Sequence, residues 1–389
     1  MIFLFKFIIC FVLVFSCSFP KISCSAPSVS AQGAILIENS TGKVLWEKNA
    51  HTKMPMASIT KIMTAICAIE NTDPNTLITV DDKAVGIEGS SVYLAKGEKI
   101  TIEDLLYAMM LNSGNDAATA LACAVSGSVE NFCILMNKTA LKIGAKNTQF
   151  KNASGLYEDG HYTTAYDLAL ISIYAMKNPV FKKIVSEREK TISNGDKPYK
   201  RTLKNHNKLL WRYDGCIGVK TGYTKKCGRC LVSSALRDSV MLTAVTLNAP
   251  DDWNDHTNLL DYGFSRCVSV PVATEGGYCM TVEVEGSDET CVGVKFKNSL
   301  YAIMIDSGLK NFEIKYKLNP KIKAPLKDGE TVGSAHLYID NTLCSSTDLI
   351  CAKSVVPSVK KGFAENFLSS VKTFLSLYKH REKLYNNRR

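Results

Sequence analysis

The chain has 389 residues, of which 46% are hydrophobic and 22% charged, and its formal net charge at pH 7 is +10. This composition excludes an intrinsically disordered protein, and the length is sufficient for two domains with substantial cores. The positive charge does not indicate a nucleic-acid-binding protein, because basic residues are dispersed except at the end of the chain. We therefore expect no nucleic acid among the partners and favour an anionic wall or membrane surface.

The first 26 residues have the three parts of a secretory signal peptide. Lys6 supplies the charged start, an apolar run extends from Phe7 to Phe15, and small residues offer cleavage after Ala26 or Ala31. The apolar run is too short for a good permanent membrane span, and an uncleaved anchor is the alternative. We expect residues 1–26 to be removed and the mature chain to be exported to the outer face of the cytoplasmic membrane or the cell wall.

The cysteine content does not fit a disulfide framework. Cys10, Cys17 and Cys24 lie in the predicted signal, and the 11 cysteines that follow are an odd number in a long chain. This count favours buried free thiols. The pair Cys227-Gly-Arg-Cys230 resembles half of a zinc or redox motif, but the sequence has no second C-x-x-C and no histidine at ligand spacing nearby, so we expect no metal site.

Residues 27–267 are predicted to form one α+β domain. Residues 33–48, GAILIENSTGKVLWEK, contain two runs in which apolar and polar residues alternate, and these runs predict two strands joined by a turn at residues 39–42. Helical patterns dominate from Pro55 to Pro179, and two of them begin with threonine and acidic residues, as helix N-termini do. Residues 216–247 then have the pattern of three consecutive antiparallel strands. We expect one antiparallel sheet, completed by the N-terminal hairpin and covered by helices.

The remainder of the chain differs in pattern from this domain. Short alternating runs separated by Gly, Asp and Asn predict a smaller all-β domain over residues 268–356. Residues 357–389 predict an amphipathic basic helix that lies at an anionic membrane surface, or alternatively packs on the β-domain. Its apolar face comprises Phe363, Phe367, Val371, Phe374, Leu375 and Tyr378.

Three short polar motifs interrupt the apolar patterns: Ser58-x-x-Lys61, Ser113-Gly-Asn115 and residues 220–222, Lys-Thr-Gly. Residues three apart in a helix share a face, so Lys61 is expected beside Ser58. A poorly solvated lysine loses basicity, and its neutral amine can take a serine proton. Each motif also has an ordinary explanation, since S-x-x-K arises by chance about once or twice in a chain of this length. The other two are typical of a loop and the shoulder of a hairpin.

In this order, the three motifs are typical of penicillin-binding proteins and class A β-lactamases. The chain resembles the low-molecular-mass D-alanyl-D-alanine carboxypeptidases over nearly its whole mature length, through MASITKIMTA, DLLYAMMLNSGNDAA, NHNKLL, GVKTGYT, LLDYGF and PLKDGETVG. The resemblance implies a β-lactamase/transpeptidase-like fold and a cofactor-free serine enzyme. Its substrate would be the peptidoglycan pentapeptide, whose terminal D-Ala-D-Ala bond it hydrolyses with release of D-alanine, and β-lactams would inhibit it by acylation.

The resemblance also implies which groups perform the reaction. Ser58 would be the acyl-ester nucleophile and Lys61 the general base that accepts its proton. Ser113 would relay that proton to the leaving D-alanine, and Asn115 would hold Lys61 and the substrate backbone in register.

A further set of residues would bind the substrate. Lys220 and Thr221 would face its terminal carboxylate, and Gly222 would let the ligand approach the edge strand closely. The backbone N–H groups of Ser58 and Tyr223 would form the oxyanion hole, in which each donor is worth roughly 3–4 kcal/mol.

One feature of the sequence departs from this family. Some relatives carry a basic residue near the end of the strand that follows K-T-G, where this chain has Asp251 and Asp252. We therefore expect Lys220 and Thr221 to bind the carboxylate alone, and we assign the role of that extra cation to no residue here. His161 and His206 are expected to be structural, because serine–lysine chemistry needs no histidine.

Two other functions fit the same motifs. A β-lactamase needs a carboxylate that activates the deacylating water, but no E-x-x-L-N lies between Ser113 and Lys220, and Glu189 with Asn194 has the wrong spacing. A non-enzymatic β-lactam-sensing domain would need a multi-span membrane region, which this sequence does not show. Release of free D-alanine from a peptide ending in D-Ala-D-Ala distinguishes the carboxypeptidase from both.

Overall fold

The computed structural model describes residues 25–193, 195, 200–306, 312–358, 371–373 and 375–376. The predicted signal peptide up to residue 24 and most of the predicted tail lie outside the described residues. The chain divides into two compact units between Val270 and Pro271, and the segment that begins at Ile303 returns to the first unit. The sequence analysis placed the domain boundary between residues 267 and 268. It did not indicate the return of the segment that begins at Ile303, because the strand that ends at Ile305 is a short run bounded by Asn and Asp residues, much as the neighbouring strands are.

The first unit combines strands and helices in the predicted order. Its helices are α1 Lys61–Asn71, α2 Ile102–Leu111, α3 Asn115–Ser126, α4 Val129–Ile143, α5 Ala165–Met176, α6 Pro179–Ser186, α7 Leu209–Arg212 and α8 Asp252–Arg266. Its strands are β1 Gly33–Glu38, β2 Val44–Lys48, β3 Leu77–Thr79, β4 Lys99–Thr101, β5 Glu189–Ile192, β6 Arg201–Lys204, β7 Cys216–Thr224, β8 Gly228–Arg237 and β9 Val240–Leu247. Short 3₁₀ turns occupy Ala57–Thr60 and Asp82–Ala84.

A five-stranded antiparallel sheet organises this unit, with the strand order β2-β1-β9-β8-β7. The predicted N-terminal hairpin and the three predicted strands of residues 216–247 are therefore confirmed, and β7 forms an edge of the sheet. In the β7–β8 pair Thr221 lies opposite Leu231 and Tyr223 opposite Arg229. Residues directly opposite each other project to the same face of a sheet, so this register determines which side chains meet.

The two faces of the sheet pack against different helices. One face joins a large core with helices α1 to α6, to which Ile35 and Val232 belong. The other face packs on α8 through residues that include Leu36, Leu231 and Leu259. Helix α1 is buried over Lys61–Ala68 because it lies in the middle of the helical layer, which explains why its sequence is apolar around most of its circumference.

Threonine side chains begin two of the predicted helices. The Thr101 hydroxyl accepts a hydrogen bond from the backbone N–H of Asp104 at the start of α2, and the Thr164 hydroxyl accepts one from Asp167 at the start of α5. Such caps satisfy backbone donors that have no partner within the helix. Both helix starts that the sequence predicted are thus confirmed.

The remainder of the described chain is all-β, as predicted. Its strands are β10 Cys267–Ala273, β11 Tyr278–Glu285, β12 Cys291–Phe296, β13 Leu300–Ile305, β14 Phe312–Leu318, β15 Lys321–Lys323, β16 Thr331–Ile339 and β17 Thr342–Cys351. Six of them form a sheet in the order β14-β16-β17-β12-β11-β15, in which the β11–β15 pair is parallel, and β10 pairs with β13. A core that includes Val294, Leu337 and Leu349 covers one face of this sheet.

Within the described ranges, no single helix is long and apolar enough to cross a membrane. Helices α3 and α4 reach the required length and composition only as a pair, with a bend of 84° between them. Six cysteines with free thiols are buried in the two units: Cys67, Cys133, Cys227, Cys230, Cys267 and Cys351.

Candidate active site

The 3₁₀ turn Ala57–Thr60 places Ser58 and Lys61 side by side. Ser58 lies on this turn and is partly exposed, whereas Lys61 is the first residue of α1 and is fully buried. Lys61 Nζ lies 3.0 Å from Ser58 Oγ. The turn is closely packed, because a Cβ on Gly155, whose φ is +87°, would lie 2.0 Å from the Ala57 carbonyl oxygen. The sequence predicted this juxtaposition from helical spacing, and the 3₁₀ turn preserves it.

The Lys61 amine is held by oxygen atoms from three different segments. Besides Ser58 Oγ, it contacts Asn115 Oδ1 at 2.7 Å and the Ser154 carbonyl oxygen at 2.6 Å. Burial lowers the pKa of Lys61 well below its ordinary value, the nearby Lys220 lowers it further, and Asp116 partly opposes both effects. The site therefore favours the neutral amine.

The second motif forms the turn between α2 and α3. Ser113 has a φ of +60° and is almost fully buried, and Asn115 is the first residue of α3. A non-glycine residue in this left-handed conformation is held there by its surroundings, at a cost of about 1–3 kcal/mol. The Asn115 amide nitrogen donates to the Glu88 carbonyl oxygen at 2.6 Å, which directs its own oxygen towards Lys61.

Asp116 is a buried residue that our sequence reasoning missed. Its carboxylate accepts hydrogen bonds from the backbone N–H groups of Val92 and Leu94 and from the Ser91 hydroxyl. These bonds hold the loop of residues 88–94 against α3. Since Ser90 of that loop lines the cavity beside Ser58, Asp116 shapes the site without facing it.

The third motif lies on β7, at the edge of the sheet. Lys220 is buried, its Nζ donates to the Thr221 carbonyl oxygen at 2.9 Å, and burial lowers its pKa to about 7. A Cβ on Gly222 would lie 3.1 Å from both the Ser58 and the Ile59 backbone nitrogens. The sequence predicted that Gly222 gives room to a ligand; the structure shows that Gly222 gives room to the turn that carries Ser58.

These elements enclose a cavity of about 380 Å³. It is lined by Ser58, Ser90, Ser113, His206, Lys208, Thr221, Gly222, Tyr223, Arg229, Asp252 and Trp253. Of the predicted site residues, Ser58, Ser113, Thr221, Gly222 and Tyr223 line the cavity, while Lys61, Asn115 and Lys220 are buried. The Tyr223 side chain is mostly exposed, and its backbone follows Gly222 in β7.

The two histidines that the sequence singled out have different surroundings. His161 is buried, its Nδ1 accepts from the Lys151 backbone N–H and its Nε2 contacts Thr60 Oγ1 at 2.8 Å; burial lowers its pKa to about 4. His161 thus has the structural surroundings expected of it. His206, by contrast, lines the cavity, and burial and Lys220 both lower its pKa. The spacing of residues in the sequence did not indicate that His206 lines the cavity.

Comparison with known proteins identifies the family. Residues 21–251 match the sequence family described as D-alanyl-D-alanine carboxypeptidase, and residues 269–357 match the penicillin-binding protein 5 C-terminal domain. The chain is 33% identical to the D-alanyl-D-alanine carboxypeptidase DacF of Bacillus subtilis, over 82% of this chain and 84% of that protein. It is also 33% identical to DacC of Escherichia coli, over 85% of each chain.

Solved structures support the same relationship. Penicillin-binding protein 5 from Haemophilus influenzae matches with a TM-score of 0.61 and 26% identity, over 86% of this chain and 99% of that one. The Streptomyces K15 DD-transpeptidase matches with a TM-score of 0.59 and 34% identity, over 62% of this chain and 100% of that one. The predicted β-lactamase/transpeptidase-like domain and the all-β domain that follows it are confirmed. The chain therefore belongs to the D-alanyl-D-alanine carboxypeptidase family of serine peptidases.

Proposed function

We propose that Ser58 forms the acyl-enzyme through which this chain hydrolyses the terminal D-Ala-D-Ala bond of peptidoglycan stem peptides. The observation that carries this assignment is the set of contacts around the Lys61 amine, with Ser58 Oγ at 3.0 Å. The assignment is tested by replacing Ser58 and following both penicillin labelling and D-alanine release, as set out in the Discussion.

The partners of Lys61 orient its lone pair. A neutral amine has two N–H groups and one lone pair, whereas Asn115 Oδ1 and the Ser154 carbonyl can only accept hydrogen bonds. These two oxygens, at 2.7 and 2.6 Å, take both N–H groups. The lone pair then faces Ser58 Oγ, whose hydroxyl donates its proton to Lys61 as the oxygen attacks the substrate carbonyl.

The remaining roles follow from the positions of the other groups. Ser113 lines the cavity beside Ser58 and would pass the proton from Lys61 to the leaving amine. Gly222 lies close to the Ser58 nitrogen, and Tyr223 follows Gly222 in β7. The backbone N–H groups of Ser58 and Tyr223 would together bind the developing oxyanion. Water then hydrolyses the acyl-enzyme.

The electrostatics of the cavity favour a peptidase over a β-lactamase. Of the residues that line it, Asp252 carries a carboxylate, and that carboxylate accepts a hydrogen bond from Arg229 Nε at 2.9 Å. Glu189 lies on β5, outside the lining, and pairs with Lys204. A fast deacylating water would need a carboxylate base directed at the acyl-ester, and neither acid is so directed.

Lys220 predicts a specific pH dependence. Its pKa of about 7 means that the free enzyme loses the charge of Lys220 as the pH rises through that value, so the contribution of Lys220 to binding a substrate carboxylate is lost. We expect kcat/KM for a peptide ending in D-Ala-D-Ala to fall above about pH 7. The corresponding fall in kcat, the alkaline limb of its pH profile, should lie at higher pH because a bound carboxylate raises the pKa of Lys220. Steady-state pH profiles measure both limbs.

Two comparisons control this experiment. Lys220→Arg keeps its charge at high pH, so its kcat/KM limb should move upward. The same peptide with an amidated terminus should lack the limb, because it has no carboxylate to bind. A limb that is identical for the free and amidated peptides would contradict the assignment of Lys220.

We further propose that residues 1–26 are removed on export. The Asp255 carboxylate accepts hydrogen bonds from the backbone N–H groups of Ser30 at 2.7 Å and Ala31 at 3.0 Å, and Ala31 is buried. Cleavage after Ala26 retains these contacts, whereas cleavage after Ala31 would remove both anchored residues.

The basic tail is proposed to attach the exported enzyme to the outer face of the membrane. Its described residues, 371–373 and 375–376, are helical, and Val371 and Leu375 are exposed. These two residues are four apart and therefore share a helix face. The remaining residues of the proposed apolar face and the basic cluster of residues 379–389 lie outside the described residues. Basic residues near an anionic surface contribute on the order of 1 kcal/mol each.

Removing residues 360–389 should release an active enzyme from anionic vesicles. The truncation leaves intact the hydrogen bond from the Ser358 N–H to the Gly286 carbonyl oxygen, near the end of the all-β unit. Sedimentation with vesicles of phosphatidylglycerol measures attachment, and increasing salt should weaken it for the full-length chain. If the truncated enzyme still sediments with the vesicles, the tail is not the anchor.

A further inference from the structure

Arg229 lines the cavity but has no role in the reaction described above. It is the second residue of β8 and lies between the two cysteines of the C-x-x-C stretch. We propose that Arg229 binds the terminal carboxylate of the substrate and so replaces the basic residue that some relatives carry where this chain has Asp251 and Asp252. This inference rests on the proposed function and adds a specificity-determining residue to the same site.

The sheet register directs Arg229 to the carboxylate-binding edge. Arg229 lies opposite Tyr223, and Thr221 lies opposite Leu231, so Arg229 and Thr221 are diagonal neighbours on one face. Such neighbours are about 7–8 Å apart, within reach of a long side chain. Both residues line the same cavity as Ser58. Arg229 therefore reaches from β8 towards the exposed edge strand β7, where the substrate terminus is expected.

A buried acid holds the guanidinium while leaving part of it available. Arg229 Nε donates to Asp252 Oδ1 at 2.9 Å, and the guanidinium carbon lies 5.8 Å from the centre of the Trp253 ring. Among the described residues, the two terminal nitrogens of Arg229 have no hydrogen-bond partner. These nitrogens form the planar pair of donors that matches a carboxylate.

The exposure of this ion pair is asymmetric. The Asp252 side chain is 4% exposed, whereas that of Arg229 is 43% exposed. Asp252 is the first residue of α8 and is fixed by its position, so it acts as the positioning residue and Arg229 as the residue presented to the ligand. A guanidinium also stays charged at every physiological pH, whereas Lys220 has a pKa of about 7. Arg229 thus keeps its charge at pH values at which Lys220 loses its own.

The test compares Arg229→Gln with the wild type on a peptide ending in D-Ala-D-Ala and on its C-terminal amide. Loss of a charge-assisted contact should raise KM for the free peptide about 10- to 100-fold with little change in kcat. On the amide the variant and the wild type should be nearly equal. Arg229→Lys should recover part of the loss, since a lysine keeps the charge but not the paired donors.

Two further variants separate binding from structure. Arg237→Gln is the matched control, because Arg237 lies on the same strand but packs on the rings of Tyr213 and Phe264, outside the cavity lining. It should leave KM for both peptides unchanged. Asp252→Asn should raise KM for the free peptide less than Arg229→Gln does, because it loosens the guanidinium without removing it.

The outcomes distinguish this inference from the proposed function. Equal losses on the free peptide and the amide would show a structural role for Arg229 and overturn the inference. The inference would also be overturned if Arg229→Gln raised KM only for peptides with an acidic side chain at the third residue. In that case Arg229 would bind the carboxylate of that side chain and not the terminal one. Saturating penicillin should still label Ser58 in Arg229→Gln. Absence of labelling in the wild type would instead overturn the proposed function.

Discussion

Ser58→Ala is expected to abolish both covalent labelling by penicillin and release of D-alanine, with kcat reduced by roughly 10⁴-fold or more. The change removes one oxygen from a partly exposed residue. Lys61 keeps its contacts with Asn115 and Ser154, so the thermal stability should change little. Intact-protein mass spectrometry after incubation with penicillin measures the labelling, and a D-alanine assay measures turnover.

The same experiment tests the functions that share these motifs. A long-lived penicilloyl adduct together with D-alanine release is expected of a carboxypeptidase, whereas rapid penicillin turnover would indicate a β-lactamase. Acylation without D-alanine release would indicate a sensor. Ser265→Ala is a suitable control, because Ser265 is exposed on α8, outside the cavity lining. Covalent labelling of the Ser58→Ala variant would place the nucleophile elsewhere.

The parts of the fold that were predicted correctly depend on local sequence. The hairpin β1–β2 follows from two alternating runs around a turn, and the starts of α2 and α5 follow from capping by Thr101 and Thr164. The proximity of Ser58 and Lys61 likewise follows from a separation of three residues. Each of these features is decided within one turn of helix or one pair of strands, so a single sequence carries the information.

The parts of the site that were missed depend on contacts between distant segments. Ser154 contributes a backbone carbonyl to Lys61, and a carbonyl oxygen gives no signal in a sequence because every residue has one. The Arg201 guanidinium donates to the Glu98 carboxylate at 2.9 Å and to the Val92 and Tyr93 carbonyls. It thereby supports the same loop that Asp116 holds, but the partners are about a hundred positions apart.

Arg229 illustrates why motif spacing alone was insufficient. In the sequence it lies within Cys227-Gly-Arg-Cys230, a stretch that directs attention to its cysteines. Its position beside Thr221 requires the register of β7 and β8, and its orientation requires Asp252 at the start of α8. The acids at 251 and 252 suggested that a cation was missing from the site, whereas one of them orients a cation from the neighbouring strand.

Lys61→Met should slow acylation by penicillin by about 10²–10⁴-fold while Ser58 stays in place. Methionine has a similar length but no lone pair of comparable basicity, so the hydroxyl loses its proton acceptor. Two buried oxygens, Asn115 Oδ1 and the Ser154 carbonyl, lose a donor at about 1–3 kcal/mol each, and removal of the desolvated amine offsets part of that cost. Thermal unfolding should therefore show a modest loss of stability.

The pH profile of acylation identifies the reason for that slower rate. In the wild type, the rate should rise with pH as Lys61 loses its proton, and the lowered pKa brings this rise towards neutral pH. Lys61→Met should lack the rise, since no amine titrates beside Ser58. Lys61→Arg keeps a positive charge that cannot be removed, so it should be as slow as Lys61→Met if Lys61 acts as a base. A Lys61→Arg variant with nearly wild-type acylation would instead mean that Lys61 contributes its charge.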